Sequence, residues 1–168
     1  MISIQQSAKI QTAAAVTALF IGVFVYSLDR QPESVYFISS WMALGDNINP
    51  FFGAIGDQLP TFVHVYAFIL LTMAVVSPSR EYVLPICLFW LIIDSLFELA
   101  QITVIAQWIT SYVSEWFHGI PFLENTAAYF LGGTFDVLDL CSIAAGTLAA
   151  YMTIVISTQR NANNVHNI

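Results

Sequence analysis

Positive charge is scarce in this sequence, which has four Lys and Arg residues and eleven Asp and Glu residues among 168. Charged residues make up 9% of the chain, whereas soluble globular domains carry roughly 25%. So few basic residues exclude the electrostatic footprint of a nucleic-acid-binding protein. An ordinary soluble domain is excluded as well, because 58% of the residues are hydrophobic.

Motifs for metal binding and nucleophilic catalysis are also missing. The two cysteines, Cys87 and Cys141, lie in apolar stretches without a CxxC or Cys/His neighbour, so neither a disulfide nor a zinc site is expected. The chain contains no HExxH sequence, no serine elbow and no phosphate-binding glycine loop. We therefore expect no metal and no cofactor.

What the chain does have is long apolar runs. A helix needs about 20 mainly apolar residues to cross the hydrocarbon core of a bilayer. Four segments meet or approach that length, namely 10–28, 61–76, 82–104 and 134–157. The sequence therefore predicts an all-α, polytopic membrane helix bundle of four transmembrane helices. Residues 1–168 form a single integral membrane domain in this interpretation, ending in a polar tail at 158–168.

The few basic residues predict the orientation. With four spans, Lys9, Arg80 and Arg160 fall on one side and Arg30 on the other. Because cytoplasmic loops carry the excess of Lys and Arg, both termini are expected in the cytoplasm. The alternative has five spans, with part of 105–131 crossing, and it places Arg160 on the opposite side from Lys9.

Two long connections then lie on the extracytoplasmic side. Residues 29–60 and 105–133 are rich in aromatic residues and broken by Gly and Pro, which predicts interfacial helices or re-entrant hairpins. Large apolar side chains in such loops usually mark interaction sites. The candidates for a partner interface are Trp41, Trp108, Trp116, Phe117 and Phe122.

Polar residues interrupt the third span. Asp94, Glu98 and Gln101 are spaced i, i+4, i+7 and share one helical face. An acid near the bilayer centre costs about 2.5–3.5 kcal/mol, so a functional role is the default hypothesis for such residues. A protonated carboxyl that donates a hydrogen bond to a neighbouring helix is the structural alternative.

The second and fourth spans bring further polar residues to the same depth. His64 lies about one turn from the outer end of the second span, and Asp136 and Asp139 begin the fourth. We expect these three to meet Glu98 and Gln101 in one binding cluster near the extracytoplasmic rim, with Asp94 on the same face but nearer the middle of the bilayer. Structural alternatives are a helix-start role for Asp136 and a core hydrogen bond for His64. The small-xxx-small series Ser142, Gly146 and Ala150 predicts close helix packing.

Three patches at these residues resemble the VanZ-like family, small membrane proteins of the teicoplanin-resistance type. His64-x-x-Ala67-Phe68 is similar to the family's H-x-x-A-[YF], and Glu98-x-x-Gln101 matches E-x-x-Q. The segment at 134–151 resembles the family's D-x-x-x-N-x-x-G pattern, with Asp139 and Gly146 at its conserved ends. The likeness covers about 60–157 and implies a bacterial inner membrane location.

This chain departs from the family pattern at several points. Ile143 stands at the asparagine position, and Gly133 lies near the place of an arginine that usually precedes the last helix. The connection after E-x-x-Q is about thirty residues long in this sequence instead of short. The resemblance therefore implies topology more than a reaction.

Three functions fit these observations. The first is a non-catalytic binding or accessory subunit of a larger membrane assembly, whose partners are membrane lipids and other membrane subunits and not nucleic acid. The second is a membrane enzyme acting on a lipid-linked or envelope substrate, with Glu98 or Asp139 as general acid or base beside His64. The third is proton passage, although the inner halves of the spans offer no continuous polar path. The missing arginine and asparagine favour the first.

Overall fold

The structure is a computed structural model that describes residues 2–29, 51–76, 80–120 and 123–166. Of the predicted interface residues, Trp41 and Phe122 lie outside the described residues, as does most of the first long connection. The described part of the chain is helical and contains no β-strand. The all-α prediction is confirmed at this level.

Six α-helices follow one another among the described residues. They are α1 (Ile2–Asp29), α2 (Ala54–Val76), α3 (Val83–Leu99), α4 (Thr103–Thr110), α5 (Thr126–Gly132) and α6 (Val137–His166). Short 3-10 turns at Arg80–Tyr82 and Glu115–Phe117 precede α3 and follow α4.

Three of the described helices are long and apolar enough to cross a membrane, over Gln5–Asp29, Ala54–Val76 and Val137–Thr158. A fourth crossing is counted if α3 and α4 are taken together as one bent span. The chain therefore has the composition of a polytopic membrane protein with three to four candidate spans.

The helices are longer than the apolar runs that predicted three of them. The first helix begins at Ile2 and not near residue 10. Similarly, α2 begins at Ala54 and contains Pro60, which the sequence pattern treats as a helix breaker. The last helix begins at Val137 and continues to His166, so the expected polar tail extends it. The length of an apolar run indicates which part of a helix can lie in the hydrocarbon core, but the helix itself can continue beyond that part.

The third predicted span, 82–104, is interrupted. The helix α3 ends at Leu99, and α4 begins at Thr103 after a bend of 93°. Ile102 has non-helical backbone angles, with φ −59° and ψ 124°, which interrupt the helical path between α3 and α4. With 17 residues, α3 is about 26 Å long at 1.5 Å per residue. The residues that follow the bend therefore run nearly at right angles to α3.

The core is centred on α2, which packs against α1, α3 and α6. Its buried residues include Val65, Ile69, Leu70 and Met73, and they fall on more than one face of the helix. Large apolar side chains on the outside of the bundle, such as Phe20 at 71% exposure, face away from this core. A central helix surrounded by apolar helices places the polar residues of α2 within reach of both α3 and α6.

Candidate functional site

Glu98 and Asp136 connect the end of α3 to the start of α6. The backbone N–H of Asp136 donates a 2.7 Å hydrogen bond to Oε1 of Glu98. Glu98 is buried, with 7% of its surface exposed. Since a buried carboxylate needs donors to offset its desolvation, this bond gives Glu98 a structural partner.

Asp136 makes two further contacts with its side chain. Its Oδ1 accepts a 2.9 Å hydrogen bond from the N–H of Leu138, in the first turn of α6. Its Oδ2 accepts a 3.0 Å hydrogen bond from Nε2 of Gln58 in α2. A carboxylate at a helix start satisfies a free N–H and complements the helix dipole. Asp136 therefore starts α6 and also ties it to α2.

Asp139 contacts α2 one turn further along. The Thr61 hydroxyl donates a 2.8 Å hydrogen bond to its Oδ1. Three acids of the predicted cluster, Glu98, Asp136 and Asp139, thus serve as acceptors between α2, α3 and α6. The arrangement joins the three helices at the ends that meet there.

His64 and Asp94 form a second group. Nδ1 of His64 lies 3.7 Å from Oδ1 of Asp94, so α2 and α3 contact each other there. The side chain of His64 is half exposed, whereas that of Asp94 is 11% exposed. Oδ2 of Asp94 is buried without a hydrogen-bond partner. His64 and Asp94 thus contact each other, whereas Glu98 bonds to the backbone of Asp136.

Gln101 lies at the bend between α3 and α4. Its Nε2 donates to the Tyr129 hydroxyl of α5 at 3.5 Å. Its side chain also packs on the backbone of Gly133, where an added Cβ would collide with the Gln101 amide group. Gly133 is near the position of the arginine in the VanZ-like pattern, and a side chain there would require the flexible Gln101 side chain to move.

Tyr129 is the polar residue at the outer edge of this bend. Partial burial raises the pKa of Tyr129 above its ordinary value, and the Glu98 carboxylate raises it further. The phenol therefore stays protonated near neutral pH and acts as a hydrogen-bond donor or acceptor.

The small-residue series of α6 lies against α2. Gly146 is buried, and a Cβ built there would meet the backbone carbonyl of Phe62 and the side chain of Val65. Ala150 is fully buried and Ser142 is half-buried. The absence of a side chain at Gly146 lets the two backbones approach closely.

Several of the described aromatic residues of the second long connection are exposed. Trp108 is 64% exposed and Trp116 is 65% exposed, while Phe117 is half-buried. Tyr112 between them is 72% exposed. The main contacts of α4 are with α5, so this aromatic surface lies outside the helix bundle.

Several polar contacts were missed by the sequence interpretation. Gln58, Thr61 and Tyr129 each bond to a residue of the predicted cluster. Elsewhere, Gln11 is fully buried and donates to the hydroxyls of Ser7 and Ser157, which joins α1 to α6. These residues carry no charge and lie at the ends of apolar runs, so neither hydropathy nor a motif identifies them.

No group of three His, Cys, Asp or Glu side chains within the described residues is arranged to hold a metal ion. Searches of protein-family models, curated proteins and solved structures found no match to this chain.

Proposed function

We propose that this chain is a non-catalytic binding or accessory subunit of a larger membrane assembly, with four spans and both termini in the cytoplasm. In this proposal α3 and α4 together occupy the place of one predicted span. The protein is VanZ-like in topology and resides in a bacterial inner membrane. The one-sided distribution of Lys9, Arg80 and Arg160 supports this orientation.

The observation that carries this proposal is the uncovered aromatic surface of Trp108, Tyr112 and Trp116. Each of these side chains is more than 60% exposed. Trp and Tyr are enriched in protein interfaces because they bury a large apolar area and also offer a polar atom. A partner subunit that covers this surface would remove it from solvent and headgroups.

The hydrogen bonds that the acids accept also support a binding role over catalysis. Glu98, Asp136 and Asp139 all accept hydrogen bonds from neighbouring helices or backbone. A general acid or base needs a face that a substrate can reach. Carboxylates that accept hydrogen bonds from neighbouring helices instead stabilise the bundle.

Purification in mild detergent from the cells that carry the protein tests the proposal. A second polypeptide is expected to co-purify with the wild-type chain and to be lost from the Trp108→Ala, Trp116→Ala double variant. The matched control is Phe20→Ala on α1, since Phe20 is equally exposed at 71%. A monodisperse wild-type chain without a partner would contradict the proposal, as would equal loss in the control.

The second candidate is a membrane enzyme acting on a lipid-linked substrate, and the pair of His64 and Asp94 favours it. A carboxylate beside an accessible imidazole is the arrangement of a general base. If this candidate is right, His64→Ala and Asp94→Asn both abolish the cellular phenotype of the protein while its amount in the membrane stays constant. An intact phenotype in both variants would exclude it.

A further inference from the structure

The bend between α3 and α4 borders an open apolar cleft of about 440 Å³. Its lining includes Leu96, Phe97 and Ala100 at the end of α3, Ile105 and Ile109 of α4, and Phe130 of α5. The volume falls within the roughly 300–1,000 Å³ that is usual for small-molecule sites. The cleft is therefore large enough for part of a ligand.

The lining limits what the cleft can hold. It contributes no polar surface, so an extended peptide segment placed there would leave its N–H and C=O groups without partners. A hydrocarbon chain has no such groups. Because the cleft lies at the end of an apolar helix and is open on one side, the acyl chains of a surrounding bilayer are the occupants of matching chemistry.

Polar groups stand at one edge of the cleft and provide a place for a head group. Gln101 directly follows Ala100, and the Tyr129 hydroxyl lies within 3.5 Å of its amide nitrogen. Gln101 and Tyr129 form the polar rim of the cleft, and the apolar residues form its wall. The ring of Phe97 lies between the two, because its centroid is 6.4 Å from that of Tyr129, edge-on, and 6.1 Å from that of Phe130, on which it stacks. An amphiphile can thus place its chain on the wall and its head at the rim.

Two acids lie close to this rim, since Glu98 is three residues before Gln101, and Asp136, to which Glu98 bonds, is three residues after Gly133, against which Gln101 packs. The effect of Glu98 on Tyr129 indicates that the potential of the carboxylate reaches the Tyr129 hydroxyl. A head group with a net negative charge would be repelled there, whereas one with ammonium or hydroxyl donors would be attracted.

We propose that this cleft binds one acyl chain of a membrane lipid whose head group carries no net negative charge and offers N–H or O–H donors to Gln101 and Tyr129. The rim sets the preference among lipids, and the wall supplies the binding energy through burial of methylene groups.

This site is separate from the proposed partner surface because it uses a different face of α4. Ile105 and Ile109 line the cleft, whereas Val104 and Trp108 point about 100° away around the helix. Substitutions in the cleft therefore test lipid binding, and substitutions on the aromatic surface test partner binding. Either proposal can be contradicted while the other stands.

The test uses the full chain in nanodiscs of equimolar phosphatidylethanolamine and phosphatidylglycerol, followed by extraction into mild detergent and native mass spectrometry. Wild type is expected to retain phosphatidylethanolamine in preference. Ala100→Phe, which fills the cleft, is expected to lower retention on the order of tenfold, the effect of losing contact with about two methylene groups. Gln101→Leu combined with Tyr129→Phe is expected to keep a bound lipid but to lose the head-group preference.

Two further variants separate loss of the site from loss of the fold. Leu88→Phe adds the same ring on the exposed side of α3, outside the cleft, and should retain lipid as wild type does. Ile109→Trp fills the cleft from its opposite wall and should lose lipid even if Ala100→Phe fails to fold. Equal lipid retention by wild type and Ile109→Trp would overturn the proposal. So would a preference for phosphatidylglycerol, or a density map with a side chain of another polypeptide in the cleft.

Discussion

The carboxylate of Glu98 accepts a 2.7 Å hydrogen bond from the backbone N–H of Asp136, across 38 residues of sequence. This bond fixes the last turn of α3 against the residue that starts α6. The long connection between these helices, which contains α4 and α5, therefore leaves and returns at the same place. The acid of the E-x-x-Q sequence thus closes a large loop.

Replacement of Glu98 tests this structural role. Glu98→Ala leaves a part-buried N–H at Asp136 without its acceptor, which is expected to lower the free energy of unfolding by about 1–3 kcal/mol. Glu98→Gln keeps an oxygen acceptor and is expected to remain close to wild type. The measurement is an unfolding titration with dodecyl sulfate in mixed micelles. Glu124→Ala is the control, since Glu124 is exposed. A Gln variant as unstable as the Ala variant would show that the negative charge, and not the acceptor, is needed.

Close contact between α2 and α6 depends on Gly146. Gly146→Ala places a Cβ against the carbonyl of Phe62, and the resulting overpacking is expected to cost about 1–3 kcal/mol in the same titration. Gly132→Ala is the matched control, because a Cβ at Gly132 meets no atom within 4 Å. Equal stability of the two variants would mean that the helices separate without cost.

The positions of Gln101 and Gly133 give a test that bears on the family pattern. Gly133→Arg, which restores a basic residue near its usual place, is expected to push the flexible Gln101 side chain aside and to cost about 0.5–1 kcal/mol through the lost hydrogen bond to Tyr129. Gln101→Ala is then expected to cost a similar amount in the wild-type chain and almost nothing in the Gly133→Arg chain, because the hydrogen bond is already lost there. The check is the unfolding free energy of the two single variants and the double variant. A Gln101→Ala cost that is equal in both chains would contradict the packing described for this bend.

The buried pair of Gln11 and Ser157 predicts a measurable coupling between α1 and α6. Their side chains lie 3.3 Å apart, and interhelical hydrogen bonds in membrane proteins contribute about 0.6 kcal/mol on average and up to about 1.7 kcal/mol. A double-mutant cycle of Gln11→Leu and Ser157→Ala should give a coupling in this range. The control cycle pairs Ser27→Ala with Ser157→Ala, because Ser27 bonds to Val23 of its own helix. Coupling energies that are equal in the two cycles would rule out the contact.

The apolar runs of the sequence predicted the helical class and the regions of α1, α2 and α6, since burial in a bilayer requires an apolar surface along each span. They did not predict the bend after Leu99. Hydropathy stays high through Val104, and the change of direction depends on the non-helical backbone of Ile102 and on how Gln101 packs against Gly133. A local pattern does not contain that contact, because its two residues are far apart in the chain.

For the polar residues as well, the sequence predicted some features and only the tertiary structure showed the others. Helical spacing alone placed Asp94 and Glu98 on one face of the third span, whereas Gln101, which the same spacing put on that face, lies beyond the end of α3. The position of each residue along its span indicated which acids lie near one end of the bundle. Only the tertiary structure decided that His64 pairs with Asp94 while Glu98 bonds to Asp136, because these choices depend on how the helices rotate against each other. Sequence determined which residues must avoid the lipid, through the cost of an unsatisfied polar group in hydrocarbon. The packing of α2 between α3 and α6 determined which neighbour satisfies each of them.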